Sequence, residues 1–394
     1  MRDDMFPRSD LVRATLLGCA AVGAGCAEIE APGVAATGFS AIATGGRHSC
    51  AVAVDGTAFC WGRGENGELG DGRVEMSGVP VRVSGEREWE VLALGYHHSC
   101  GLATGGEAYC WGLNGSGQLG LGSQVGVGRP NAVAGERTFT ALSAGWHHTC
   151  GVASDGLAYC WGLNAYGQLG DGTTDAAPSP VAVAGGLRFA AIAAGAFHSC
   201  GITTDGDAYC WGANLWGQLG DGGDQSSLTP VAVAGGHTFR SLDTGFAHTC
   251  AVGTDRRIYC WGANDHGQLG DGSIRDPARP GRKVPGEVAR DAPYRAVSVG
   301  YGYSCAVDTD GRAYCWGAGG SGQLGVGSMA DIAVPRSLET PAFRAVAASG
   351  GTHTCGVAND GAAYCWGHGE FGQLAQATVE FVITPQQIHE PEHD

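Results

Sequence analysis

Charge is scarce in this sequence. Only 16% of its 394 residues are Asp, Glu, Lys or Arg, and acids outnumber bases 39 to 23, for a net charge of −16. Such a chain repels the phosphates of nucleic acid and the anionic headgroups of lipid, which argues against both as electrostatic partners. No basic patch with interleaved aromatics interrupts the pattern. The most basic stretch, Arg275 to Arg290, reads as a solvated loop. A long apolar run is missing too, because the one apolar segment near the start covers only residues 14–25, too few to cross a bilayer. Signatures of chemistry are equally thin. No glycine-rich phosphate loop follows a strand and opens a helix, and no carboxylate pair stands out in an apolar setting. No Ser-His-acid set can be singled out, and no cysteine pair has the two- to four-residue gap of a zinc site. The sequence therefore offers no cofactor, no metal and no sign of an enzyme.

What the start of the chain does hold is an export pattern. Arg2, Arg8 and Arg13 precede the short apolar core, and Cys26 follows it. Small residues ahead of a cysteine resemble a bacterial lipobox, in which that cysteine becomes the lipidated first residue of the mature protein. Cys26 fits better than Cys19 because it follows the full apolar run, although Asp3, Asp4, Asp10 and Gly23 depart from the pattern. The expected organisation is a lipoprotein-type signal peptide over 1–25 and an Ala/Gly/Pro tether over 26–38. A seven-repeat domain over 39–388 and a short tail over 389–394 would follow. The mature protein is expected in the cell envelope, held to the membrane only by lipid on Cys26, with free secretion as the alternative.

From Phe39 onward one unit recurs seven times. Its cysteines fall at Cys50 and Cys60, Cys100 and Cys110, Cys150 and Cys160, Cys200 and Cys210, Cys250 and Cys260, Cys305 and Cys315, and Cys355 and Cys365. The period is 50 residues, with one step of 55 between the fifth and sixth copies. Each copy offers four strands. The first opens on an aromatic such as Phe39, and the second carries His-x-Cys. The third ends in Tyr/Phe-Cys-Trp-Gly, and the fourth is a Pro-Val-x-Val run such as Pro180 to Val183. Short strands with glycine turns predict an all-β fold, and four strands repeated seven times predict a seven-bladed β-propeller. One blade cannot bury both its apolar faces alone, so the blades must stack into a closed ring. The last copy ends in its own fourth strand, Pro385 to Ile388, so no strand is left over. Were the blade out of phase with the repeat, the two chain ends would share one blade and lock the ring.

Nine residues separate the cysteines of each pair, with Asp55-Gly56 near the middle of the first. A three-residue loop, Val54-Asp55-Gly56, puts Gly56 at the left-handed position of a bulged turn. Residue 53 then faces 57, 51 faces 59, Cys50 faces Cys60, and 47 faces 63. Facing residues lie about 4.5–5.5 Å apart at their α-carbons, within reach of a disulfide. One disulfide per blade accounts for fourteen of the sixteen cysteines and leaves only Cys19 and Cys26, both in the export segment. The fifth copy has Asp255-Arg256 where glycine is expected, which predicts a strained or different turn.

Gly-x-x-His-Ser/Thr, then Asp-Gly, then Trp-Gly-x-Asn-x-x-Gly-Gln-Leu-Gly, clearest over 145–170 and 195–220, resembles the repeat of the regulator of chromosome condensation family. The likeness covers residues 39 to about 388. It implies a seven-bladed propeller; the cysteine pair departs from the usual eukaryotic pattern, where apolar residues take those places. The family's founder is a nucleotide-exchange factor for a small GTPase that binds chromatin, a role that needs an inserted wedge and a basic attachment. Here the only insertion is five residues in the 272–300 connection, and there is no basic tail. A light-sensing relative repeats Gly-Trp-Arg-His-Thr, of which Gly145 to Thr149 is a single near match without the arginine.

In this register the Gly-x-x-His start and the Asn-x-x-Gly end emerge on one face of the ring, and there the copies differ from one another. The first set holds Arg47, Tyr96, His97, Trp146, His147, Phe197, Phe246 and Tyr301, and the second Tyr166, Trp216, His266 and Phe371. Scaffold positions repeat because every blade packs alike; these vary, yet are rich in the aromatics that dominate binding hot spots. They are expected to form a face that holds a protein or glycan, with mutual packing of the rings as the competing reading. His48, His98, His148, His198, His248 and His353, each two before a cysteine, are read as a repeated hydrogen bond and not as metal ligands. The Trp after each second cysteine is read as blade-to-blade packing, and Asp71, Asp171, Asp221 and Asp271 as turn residues and not a calcium site. The function expected is a non-catalytic, monomeric binding scaffold. A regulatory guanine-nucleotide-exchange-type factor, by family analogy, is the first alternative and an envelope hydrolase the second.

Overall fold

Each repeat folds into one antiparallel sheet of four strands in chain order, and seven such sheets make the molecule. The computed structural model describes residues 38–274, 281–376 and 379–388. The segments expected to be the signal peptide (1–25), most of the tether (26–37) and the tail (389–394), with Cys19 and Cys26, fall outside the described residues. In blade 1 the strands are β1 (Phe39–Thr44), β2 (His48–Ala53), β3 (Ala58–Gly62) and β4 (Ser77–Arg82), and the other blades repeat this plan, with no helix among the described residues. The first strands of all blades surround a central channel lined by residues such as Ile42, Leu142, Asp243 and Val346.

The hairpin register is the expected one. Cys50 faces Cys60, Ala51 faces Phe59, and Arg63 N–H donates to Arg47 O at 2.9 Å. Ala53 N–H donates to Thr57 O at 2.8 Å, so by alternation the cysteines occupy a non-hydrogen-bonded pair. That is the narrow kind, and their α-carbons stand 4.0–4.1 Å apart in all seven disulfides, closer than the expectation above.

The middle strands do not alternate apolar and polar, because both of their faces are covered. Cys50, Val52, Ala58 and Cys60 face blade 2, where they meet Trp89 and Trp111. Ala51, Ala53, Phe59 and Trp61 face blade 7, where they meet Val357, Leu374 and Ile388. Seven such apolar cores exist, one per seam. The seam between blades 7 and 1 is built like the rest. Blade and repeat are therefore in phase, and the shared closing blade is corrected: the last repeat keeps its own fourth strand (Phe381–Ile388), and the ring shuts by side-chain packing.

Each seam also carries a polar clasp. In blade 2, Ser99 Oγ donates to Glu68 O at 2.8 Å and so must accept from His48 Nε2–H, 2.8 Å away, while Trp111 Nε1–H donates to the same Glu68 carbonyl at 2.8 Å. The pattern recurs at Thr149, Ser199, Thr249 and Ser304, and closes the ring where His353 meets Ser49 at 2.8 Å. Blade 6 substitutes Tyr303, whose hydroxyl donates to His353 O at 2.7 Å and stands 3.0 Å from the Thr354 hydroxyl, which spends its own proton on Gln323 O at 2.8 Å. The histidines thus act as the repeated hydrogen bond read from the sequence. Asp71, Asp171, Asp221 and Asp271 each accept the N–H two residues on at 2.9–3.0 Å, which is turn chemistry.

The outer strands depart from the sequence reading. They start three to four residues earlier, at Ala177 where Pro180 was expected and at Phe381 where Pro385 was expected. The reason is that the strand begins opposite the glycine of Trp-Gly, as Gly162 pairs with Ala177, and not where its own apolar pattern begins. Similarly, part of the stretch read as a solvated loop, Arg282–Glu287, is the outer strand of blade 5. Every outer strand places a proline inside it (Pro80, Pro130, Pro180, Pro230, Pro285, Pro335, Pro385), which removes a donor from the exposed edge and blocks pairing with other chains.

Two non-glycine residues adopt the left-handed conformation. Arg256 takes φ 68° in place of the turn glycine, and Ala375 takes φ 53° where six other copies have the last glycine of Gly-x-Leu-Gly. Arg256→Gly is expected to raise stability by about 1 kcal/mol and Ala375→Gly to act in the same direction, as read by the midpoint of chemical denaturation. The clasp histidines generate a pH dependence. Burial holds His48 down at about 4 and His148, His198, His248 and His353 at about 3, with His98 well below its ordinary value. The unfolded chain takes up these protons near 6.5 and the folded ring does not. Stability is therefore full above that pH and falls as pH drops toward 4, by about 1.4 kcal/mol per pH unit for each histidine. Calorimetric melting between pH 8 and 4 should show a steep loss below 6.5; a flat profile contradicts the clasp.

Candidate functional site

The loops before each second strand converge on one mouth of the channel, because β1 and its counterparts end there and the chain must turn back within three residues. Seven of the aromatics singled out from sequence form one continuous plate over that mouth. Trp146 is its hub. Its ring lies 4.8 Å from Tyr96, 5.7 Å from Phe197, 5.0 Å from Phe246 and 6.0 Å from Tyr301, the last in a parallel stack across the axis. Tyr166 leans on Phe197 at 5.3 Å and Trp216 on Phe246 at 6.2 Å. The plate therefore combines both readings: the rings pack on each other, and they also face solvent, with Tyr166 44% and Tyr301 43% exposed.

The remaining expected site residues sit at its edge. The guanidinium carbon of Arg47 lies over Phe371, 4.6 Å from the ring centre. His97 stands 3.5 Å from Glu68, and His147 is half-buried beside it, its pKa lowered by burial and by His97. His266 is not part of the plate; it pairs with Asp331 at 2.8 Å.

The plate is incomplete over blades 7 and 1, where Gly351 and Gly46 replace the aromatics. A notch of about 290 Å³ opens there, walled by Tyr96, Trp146 and Tyr301 on one side and Arg47, Thr352 and His368 on the other. A side chain at Gly46 would strike the Tyr96 ring at 2.5 Å, and one at Gly351 would strike Gly46 O at 2.5 Å, so the gap is fixed by the backbone. His368 was missed in the sequence. It follows Trp-Gly, at a position that varies among the copies as the chosen residues do. Burial lowers its pKa, and its Nδ1 accepts from Gln373, 3.1 Å away.

Below the plate, Asp243 is the one carboxylate among the described residues that line this stretch of the channel. It accepts from Thr244 N–H and Val299 N–H at 2.8 Å and from Ser298 Oγ at 3.1 Å. Burial pushes its carboxyl up to about 6 against those donors. It ties blade 5 to blade 6 as Ser298 ties blade 6 to Ala348 N–H of blade 7 at 3.0 Å. Among the described residues no group of three His, Cys, Asp or Glu could hold a metal.

Seven stacked four-stranded blades with a notched aromatic plate over one mouth define a β-propeller with a single elaborated face. Residues 55–102, 105–152, 155–202, 205–252, 255–307 and 310–357 match the family model described as the regulator of chromosome condensation (RCC1) repeat. A second model of the same description matches residues 39–68, 139–168, 189–218, 239–268, 294–323 and 343–373. The chain belongs to the RCC1 repeat family. Among solved structures it is similar to Prp20p of Saccharomyces cerevisiae, described with its binding to Gsp1p and histones, at 23% identity over 90% of this chain and 88% of that one, TM-score 0.77. It is also similar to human WBSCR16, at 21% identity over 85% and 95% of the two chains, TM-score 0.77. The ectodomain of the Arabidopsis thaliana receptor kinase ACR4 aligns at 20% identity over 89% and 99%, TM-score 0.54. Likenesses at these identities establish the fold. A search of the curated proteins finds no match.

Proposed function

We propose that this protein is a non-catalytic binding scaffold that grips a partner protein with the aromatic plate and its notch. The observation that carries the reading is the contrast between seams that repeat from blade to blade and the one face that breaks the repeat. Every blade repeats the same cysteines and tryptophan, and six of the seven the same histidine, while seven aromatics gather over one mouth, partly exposed and packed on one another. Rigid aromatic area is what protein hot spots are made of. Protein binding by Prp20p, described with Gsp1p and histones and in a complex with Kap60, supports a protein partner for a fold of this kind. The chain's net charge of −16 disfavours nucleic acid.

Export belongs to the same proposal. Seven disulfides are suited to an oxidising compartment, and the pattern ending at Cys26 supplies a lipid anchor. The described chain enters at Gly38, beside Gly361 at the Asp-Gly turns, on the face opposite the plate. The protein acts as a single copy.

The test is capture of partners from native envelope with the disulfides intact. A triple variant, Tyr96→Ala, Trp146→Ala and Trp216→Ala, is expected to lose capture at least about tenfold while keeping a cooperative melt. Full capture by the folded triple variant overturns the reading. Mass spectrometry of the mature N-terminus should show diacylated Cys26; an unmodified N-terminus removes the anchor.

A further inference from the structure

We propose that the notch between blades 7 and 1 is a carboxylate-specific pocket that receives an apolar residue of the partner together with an adjacent carboxylate. The inference rests on the protein-binding reading of the face and adds what the face recognises.

The argument starts from charge pairing. Every other cationic or imidazole group of this rim that stands near an acid already has it close by: Arg63 with Glu65 at 2.6 Å, His97 with Glu68 at 3.5 Å, His266 with Asp331 at 2.8 Å, and His368 with Glu370 at 3.5 Å. Arg47 is different. Among the described residues its guanidinium makes no ion pair and no side-chain hydrogen bond; its carbon sits over the Phe371 ring, 4.6 Å from the centre. A contact with a ring face uses none of the guanidinium's N–H donors, so the fork that fits a carboxylate stays unspent. The Thr352 hydroxyl lines the same notch, and it too has no hydrogen-bond partner among the described residues. In a chain of net charge −16, an unneutralised arginine at the edge of an aromatic plate is a local exception that selects an anion.

Size and shape decide which anion. The notch holds about 290 Å³, at the lower limit of small-ligand pockets, which is room for one anchoring residue and not for an oligosaccharide. Tyr96, Trp146 and Tyr301 supply an apolar wall, and Gly46 and Gly351 supply a floor that no side chain can fill. A flat apolar body on the wall, with its carboxylate reaching Arg47 and Thr352, matches both halves. A peptide's C-terminal residue, or an aromatic next to Asp or Glu, has that chemistry.

The test uses N-acetyltryptophan and its neutral amide as probes on the full disulfide-bonded protein, titrated by ligand-observed NMR. The acid is expected to bind about tenfold more tightly than the amide. Arg47→Gln should bring the two within about twofold, chiefly by weakening the acid, and Arg47→Lys should keep a partial preference. Melting curves of each variant establish that the ring is intact. Equal binding of acid and amide by the unaltered protein overturns the inference while leaving the aromatic face as a binding surface. A preference that survives Arg47→Gln overturns it as well, and so does glucuronic acid binding as tightly as the tryptophan derivative. Failure of the face itself would show separately, as undiminished partner capture by the triple aromatic variant.

Discussion

The structure depends on one carbonyl per seam. The main-chain oxygen of Gln118, Gln168, Gln218, Gln268, Gln323 or Gln373, and of Glu68 in blade 1, receives a Ser/Thr hydroxyl from the next blade and, at six of the seven seams, that blade's tryptophan indole as well. At six seams a histidine from the carbonyl's own blade then donates to the hydroxyl, and between blades 6 and 7 Tyr303 takes that histidine's place. Because each seam joins one blade's third-strand loop to the next blade's second strand, the interaction sets the angle between blades as well as holding them. The disulfide lies within the same core and fixes the hairpin from which the hydroxyl and the histidine project.

The scaffold was largely legible in the sequence. The spacing of Cys50 and Cys60 about Asp55-Gly56 dictates the register, since an odd count of intervening residues allows only an odd loop. Tyr303 and Arg256 were visible as breaks, and the structure places both in altered roles. The outer strands were less legible. Their origin is set by pairing with Gly62 and its counterparts and not by any pattern of their own. Blade phase was not legible at all, because a periodic sequence has no marked starting point; only the pairing of the last strand with its own blade decides it.

The site was legible as a face and not as an assembly. That Tyr96, Trp146 and Tyr301 would share a mouth followed from register. That Trp146 would reach three blades across to stack on Tyr301 depends on the diameter of the ring, which no local spacing encodes. The notch was hidden for another reason. A search for informative side chains passes over Gly46 and Gly351, whose contribution is to have none, and His368 drew no notice beside the more prominent aromatics. His266 shows the converse: an apparent member of the face that is held aside by Asp331.

Both ends of the described chain lie away from the plate. Phe39 N–H bonds to Gly361 O at the Asp-Gly turns, and Ile388 pairs with Ala363 on that same side. A reporter domain, affinity handle or immobilising linker joined directly at Gly38 or Ile388 would start from the rear of the disc. The protein can therefore be arrayed in uniform orientation on a sensor chip, with its recognition surface pointing into the flowing sample.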